Sequence, residues 1–220
     1  MTINCLLALA IQLRREDIEG KRILEVGSQD VNGSIRPLAE SYKPCEYIGV
    51  DIVKGKNVDL VCDSGNLITA FGRESFDMVI STSLLEHVKD WRQAIHNMKG
   101  VCKTGGTILV TSCSMRFPYH GYPYDFWRFE TDDLKNIFSD CKIFALQKVP
   151  SNLVLITVKK PDHFAENYFL DYELYSIVAN KKVKDIAAKD FRSLYFKKIV
   201  LKSHITNFMV GATNYICSRL

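Results

Sequence analysis

Three acidic residues each stand at the end of a short β-leaning run. Glu25 interrupts Ile23, Leu24 and Val26 just before Gly27; Glu46 to Val50 leads into Asp51; Val58 to Cys62 leads into Asp63. A fourth run, Phe76 to Ile80, ends in the hydroxyl residues Ser81, Thr82 and Ser83. In an open parallel sheet, ligands bind beyond the carboxyl ends of the strands, so these side chains are expected along one rim. An acid closing the second strand can accept two ribose hydroxyls. An acid closing the third can accept an exocyclic amine. An acid at the first turn opposes a pyrophosphate there, because two anions would face each other. The set suits an adenosyl ligand without phosphate, although each acid alone also reads as a strand-end turn former.

A second group of residues comes after the fifth strand. The stretch Phe117 to Phe129 holds Tyr119, His120, Tyr122, Tyr124 and Asp125 among Pro and Gly. Aromatic faces stack on apolar sugar faces, and His120 and Asp125 are candidates for binding hydroxyls. A hydroxyl acceptor must lose its proton, and histidine titrates near working pH. His120 is the candidate base or acceptor ligand, with Asp125 orienting it; His87, just past strand four, is the other candidate and reads as packing near a bound ligand. Tyr119, Tyr122 and Tyr124 are candidate acceptor contacts. The stretch also reads as an aromatic plug over the sheet end, with Trp127 and Arg128 structural. His96, His163 and His204 lie away from this place.

The elements that must position these groups alternate. A first helix over Cys5 to Leu13 precedes strand one. Asn32, Gly33 and Ser34 offer turn and helix-start chemistry before a helix over Ser34 to Tyr42. Asn66 to Phe71 is a short helix, and Glu86 to Gly100 is amphipathic, with Val88, Trp91, Ile95 and Met98 on one face. Gly105-Gly106 turns into strand five at Thr107 to Thr111, and Thr131 caps a helix through Phe138. Lys142 to Val149 and Leu153 to Val158 are strands joined by Pro150-Ser151-Asn152, a link that permits only an antiparallel pair. Alternation of strand and helix predicts an α/β fold with a mostly parallel sheet. Beyond Pro161 the spacing predicts helices, with Val183, Ile186, Ala187, Phe191, Leu194 and Tyr195 on one face and lysines at Lys181, Lys182, Lys184, Lys197, Lys198 and Lys202.

With 220 residues, the chain is long enough for one α/β domain and an appendage, and its net charge of +4 does not imply nucleic acid. The seven cysteines are scattered, with no Cys-x-x-Cys and no Cys/His pair at zinc spacing, so no metal is expected and free thiols in a reducing, cytoplasmic setting are. The apolar N-terminal run lacks a preceding Lys or Arg and passes directly into Arg14-Arg15-Glu16-Asp17, which favours a packing helix over a signal peptide. No run reaches the ~18 apolar residues a membrane span needs.

Taken together, the strand-end motifs resemble those of class I S-adenosylmethionine-dependent methyltransferases over about residues 20 to 160. Leu24-Glu25-Val26-Gly27 resembles the family's first motif, Tyr47 to Asp51 its ribose-binding strand, and Val61-Cys62-Asp63-Ser64 its adenine-side acid. Phe76 to Ile80 with Leu84 to Val88 resembles the family's fourth strand and the helix after it, and Lys103 to Gly106 the turn before strand five. The resemblance implies a Rossmann-like seven-stranded sheet, mostly parallel with the last strand antiparallel, helices on both faces, and a C-terminal helical extension. It implies S-adenosylmethionine as cofactor, S-adenosylhomocysteine as product, and cofactor contacts from Glu25, Val26, Gly27, Ser28, Asp51, Ile52, Asp63, Ser64, Ser81 and Thr82. The first loop departs from the family's Gly-x-Gly-x-Gly: the middle glycine is missing and Gly33 comes late.

The aromatic loop resembles one in a branch often found among sugar and polysaccharide genes, which favours a small hydroxylated acceptor and O-methylation. Base-amine and cytosine enzymes are disfavoured, since neither Asn/Asp-Pro-Pro-aromatic nor Pro-Cys comes after strand four. Residues 1–160 form the expected methyltransferase domain and 161–220 the extension, which packs on the domain or a second subunit, or meets a membrane surface. Two other functions stay open at this point: a nicotinamide-dependent oxidoreductase, whose glycine fingerprint is missing, and a catalytically silent cofactor-binding partner module.

Overall fold

The computed structural model describes residues 3–31, 33–121 and 124–217. Its centre is a seven-stranded sheet of β1 (Arg22–Val26), β2 (Glu46–Asp51), β3 (Leu60–Val61), β4 (Phe76–Thr82), β5 (Cys102–Cys113), β7 (Lys142–Val149) and β8 (Leu153–Lys159). Across the sheet the order is β3-β2-β1-β4-β5-β8-β7. Neighbours from β3 through β5 run parallel, whereas β8 runs antiparallel to both β5 and β7. The tight link between β7 and β8 is possible because Ser151 and Asn152 take positive φ, at 74° and 59°.

Because successive strand residues point to opposite faces, the sheet carries two cores. Leu24, Val26, Val79, Ile108 and Val110 face one cluster, with α3 (Leu67–Phe71), α4 (Trp91–Val101) and α5 (Thr131–Ile137). Ile23, Met78, Ile80 and Leu109 face the other, against Leu9 and Leu13 near α1 (Ile3–Gln12) and Ala39 of α2 (Arg36–Ser41). The N-terminal run is thus a packing helix. Across the first cluster, Lys99 of α4 reaches the Asp140 carboxylate at 2.7 and 2.8 Å with both side chains 1 % exposed.

Several helix boundaries differ from expectation for reasons of capping. The stretch expected as one helix from Glu86 is a single 3-10 turn, Leu85–His87, succeeded by α4. Asp90 interposes as N-cap, its side chain accepting the Gln93 N–H at 3.1 Å. Ser34 accepts the Arg36 N–H at 3.0 Å at the start of α2, while Asn32 lies outside the described residues. At α5 the N-cap is Glu130, not Thr131, and its own N–H donates to Asp133 Oδ2 at 2.8 Å.

The region past 160 corrects the expectation that it is helical throughout its length. β6 (Trp127–Arg128), β9 (Leu174–Ser176) and β10 (Lys181–Val183) form a small antiparallel sheet in the order β10-β9-β6. Val183 is therefore in a strand and Phe191 in a one-turn 3-10 helix; helix begins only with α6 (Leu194–Cys217). Backbone pairing with β6 outcompetes the helical spacing there. Arg92 of α4 donates to the carbonyls of Phe169 and Tyr172 at 2.7 Å and of Lys184 at 2.9 Å, pinning the segment to the domain. Leu174, Ile177, Val178 and Phe196 join the first core.

Candidate active site

A cavity of about 1150 Å³ opens at the carboxyl ends of β1, β2 and β4. Glu25, Val26, Gly27 and Ser28 line it from β1, Asp51 and Ile52 from β2, Asp63 and Ser64 from the turn after β3, and Thr82 from β4. The opposite wall is His87 and, from the aromatic loop, Phe117, His120, Tyr124 and Phe126. The three strand-end acids thus share one cavity.

Local backbone explains these positions. Gly27 has φ +80°, and a Cβ there would stand 3.0 Å from Leu84 Cβ. Its N–H and that of Ser28 donate to Val50 O at 2.8 and 3.0 Å, which turns the chain sharply across the end of β2. Asp51 accepts the backbone N–H groups of Gln29 and Val53, each at 3.3 Å. Asp63 caps a short turn by accepting Gly65 N–H at 2.7 Å. After β4, Ser83 sits at φ +52° with its N–H donating to Thr111 O at 3.0 Å, a strained turn of the kind that gathers at functional sites.

Glu25 is almost fully buried, and burial pushes its carboxyl up to about 7 even though the Tyr47 hydroxyl donates to it at 2.8 Å. Glu86 is also fully buried; Ser112 Oγ donates to its Oε2 at 2.7 Å and Cys113 Sγ to its Oε1 at 3.0 Å. Burial and the adjacent carboxylate push the Cys113 thiol up.

The two candidate histidines meet. Their ring centroids are 4.8 Å apart in an edge-on arrangement, and Phe117 lies 4.7 Å from His120 on another side. His87 Nδ1 contacts the Tyr124 carbonyl, which can only accept, so that nitrogen carries the proton. A Cβ on Gly121 would approach His87 Cε1 to 3.0 Å, so glycine lets the loop close over the ring. His120 Nδ1 lies 3.1 Å from Asp125 Oδ2, and the His120 backbone N–H donates to the same oxygen at 2.7 Å. Asp125 is itself enclosed: Arg128 donates to its two oxygens at 2.5 and 2.8 Å. Burial opposes ionisation of Asp125, but the bonds from Arg128 and His120 hold it below the usual carboxylate range.

Not every expected residue reaches the cavity. Ser81 is fully buried one position inside β4, and strand alternation leaves Thr82 to face the ligand space. Tyr119 packs edge-on against Phe196 of α6, with centroids 5.6 Å apart, and belongs to the core. Asp125 stands behind His120, away from the cavity surface. Tyr124 lies exposed at the rim. Tyr122 lies outside the described residues. Sequence reasoning missed Glu86, Cys113, Phe117 and Leu84 as cavity residues; Glu86 directly precedes His87, which is the signal that could have found it.

The residues present fit an adenosyl cofactor. Ser28 Oγ is buried at the cavity wall with no hydrogen-bond partner, Asp51 and Asp63 present acceptors, and Ile52 adds an exposed apolar face. Lys89 is the single Lys or Arg that lines the cavity among the described residues.

Residues 24–110 match the family model for a methyltransferase domain. None of the curated proteins matches the chain. Among solved structures, the Burkholderia thailandensis 1,6-didemethyltoxoflavin-N1-methyltransferase, bound to 1,6-didemethyltoxoflavin and S-adenosylhomocysteine, aligns over 72% of this chain and 79% of its own, with 15% identity and a TM-score of 0.60. A Mesorhizobium loti S-adenosylmethionine-dependent methyltransferase aligns over 70% and 96%, with 13% identity and a TM-score of 0.55. One from Aquifex aeolicus aligns over 68% and 88%, with 13% identity and a TM-score of 0.53. At these identities the solved structures speak for the fold alone. With the family match over β1 to β5 and the acids at one rim, the oxidoreductase alternative falls away, and residues 24–110 lie in an S-adenosylmethionine-dependent methyltransferase domain.

Proposed function

We propose that the protein methylates a hydroxyl of a small acceptor, a sugar or polysaccharide precursor. The observation that carries this reading is the aromatic lining of the cavity: Phe117, packed on His120, together with Tyr124 and Phe126, shares it with the three strand-end acids. The bound cofactor supplies an electrophilic methyl group on a positive sulfur. Glu25, Val26, Gly27, Ser28, Asp51, Ile52, Asp63, Ser64 and Thr82 would hold it. Alignment of donor and acceptor supplies much of the acceleration, because the methyl group is already activated.

His120, its Nδ1 turned to Asp125, has Nε2 left to take the hydroxyl's proton or hydrogen bond. Asp125 and Arg128 are positioning residues, and His87 supports the loop through Tyr124. Tyr124 stacks on the acceptor, and Tyr122 keeps its proposed acceptor contact on the strength of the sequence. Residues 1–160 form the methyltransferase domain and 161–220 its extension, whose exposed Leu201 and Ile205 on α6 suit contact with a second copy. Free, buried Cys102, Cys113 and Cys141 suit a reducing cytoplasmic setting. Among the described residues, no helix is long and apolar enough to cross a membrane.

The test is a mass-spectrometric screen of sugar nucleotides and glycans for a single methyl gain dependent on S-adenosylmethionine. Methylation confined to nitrogen or carbon acceptors would sink the hydroxyl assignment.

A further inference from the structure

We propose that Glu86, Cys113 and His120 form a three-ligand site for a divalent transition-metal ion of the zinc class, with the fourth position open to the cavity. One carboxylate oxygen, one sulfur and one imidazole nitrogen lie within 4.8 Å of one another. These are the donor types that zinc takes, three protein ligands being the pattern of sites that keep a position for a reactant. Ligands of a tetrahedral ion stand roughly 3.5 Å apart, so the set must contract by about 1 Å. His120, on a loop and half-buried, can supply that movement, whereas Glu86 and Cys113 are fixed.

Ser112 Oγ donates to Glu86 Oε2 and Cys113 Sγ to Oε1, so loss of the thiol proton would leave Oε1 and the sulfur as adjacent donors. Asp125 Oδ2 lies 3.1 Å from His120 Nδ1 and accepts the His120 backbone N–H at 2.7 Å, and Arg128 fixes Asp125 in turn. A carboxylate behind a histidine is the usual support for a metal-bound imidazole. Glu86 is meanwhile a buried carboxylate whose hydrogen bonds come from a hydroxyl and a thiol, with no ion pair among the described residues. No cationic side chain meets this carboxyl among the described residues, and a cation between Glu86, Cys113 and His120 would supply the partner that is missing.

On binding, the Cys113 thiol releases its proton to solvent and the thiolate joins the metal. His120 then acts as a ligand, and the metal takes over activation of whatever oxygen occupies the fourth position. That last step rests on the hydroxyl-acceptor reading above; metal binding itself does not. Such an ion would make a hydroxyl bound at the open position more acidic, the proton leaving to solvent as the oxygen takes the methyl group.

The test uses the full chain, stripped with a chelator and titrated with zinc alone by calorimetry and with cobalt(II) alone by absorption. Expected are one saturable equivalent and a thiolate-to-cobalt charge-transfer band. Cys113→Ala should abolish the band, and Cys113→Ala and His120→Ala should each weaken zinc binding about tenfold or more. Both variants are checked for S-adenosylhomocysteine binding, which reports that the sheet end is intact. His120→Ala, outside the core, serves should Cys113→Ala not fold. No saturable zinc binding, a cobalt spectrum without the thiolate band, or unchanged affinity in folded variants would overturn the site. A protein that binds zinc but methylates no hydroxylated acceptor keeps the site and loses the acceptor reading. One that methylates such acceptors and binds no zinc keeps the acceptor reading and loses the site.

Discussion

Asp125 Oδ2 accepts the His120 backbone N–H at 2.7 Å and lies 3.1 Å from His120 Nδ1, while Arg128 grips both oxygens of the same carboxylate. One buried acid thus holds the backbone of His120 and stands beside its ring in the cavity wall. Replacing it separates structure from chemistry. Asp125→Asn leaves the Arg128 charge buried against a neutral amide, a loss of ~3–5 kcal/mol for a broken buried pair, read by chemical denaturation. His120→Ala, by contrast, should change stability by under about 1 kcal/mol while lowering turnover roughly 100-fold or more. Equal loss of turnover and S-adenosylhomocysteine affinity in His120→Ala would move the loop to the cofactor side.

Asp51→Ala should weaken S-adenosylhomocysteine binding while the protein stays folded. The carboxylate accepts only long backbone bonds of 3.3 Å and supports no core, so the fold loses little. Charge-assisted bonds to two hydroxyls contribute ~1.5–3 kcal/mol each, which makes the loss about 100-fold or more. Calorimetry giving wild-type affinity would contradict the ribose assignment.

Glu25 makes both stability and cofactor binding depend on pH. Its folded-state pKa is raised by burial from 4.5 to about 7, so the native state holds this proton more tightly than the unfolded chain. The corresponding stability is fully present below 4.5 and is lost as pH rises to about 7. Affinity for the positively charged donor should run the other way, strengthening as the carboxylate forms. Glu25→Gln should flatten both trends, measured by melting and calorimetry across that window. An unchanged pH profile in the variant would assign the titration elsewhere.

Gly27→Ala should cost about 1–2 kcal/mol from its left-handed backbone. The added methyl would also press on Leu84, 3.0 Å away, and drive that side chain toward the cavity. A lower melting temperature together with weaker S-adenosylhomocysteine binding is expected; a neutral effect on both would mean that the turn relaxes.

The sheet and its rim were legible because strand-end acids and alternating apolar runs are local signals. Glu25, Asp51 and Asp63 all reached one cavity, and the antiparallel β7–β8 pair was implied by the short link between them. The hidden parts depended on distant partners. β9 and β10 are three residues each and exist through pairing with β6 and with each other, so the helical spacing of Val183 to Tyr195 misled. Tyr119 looked like its neighbours in the loop until Phe196 supplied its packing partner. Ser81 and Thr82 differ only in which face of β4 they occupy. Glu86, Cys113 and His120 have no spacing that links them; the turn after β4, the end of β5 and the aromatic loop bring them together only in three dimensions.

The pairing of β6 with β9 gives the two halves of the cavity different dependencies. The wall with the strand-end acids is built from segments before β5, whereas the aromatic wall leans on chain far downstream, through Trp127 opposite Ser176, Arg128 opposite Tyr175, and Phe126 against Phe191. A protease nick in the 161–193 stretch would therefore disarm the protein selectively: it would go on capturing its methyl source, yet lose its grip on the molecule that should receive it.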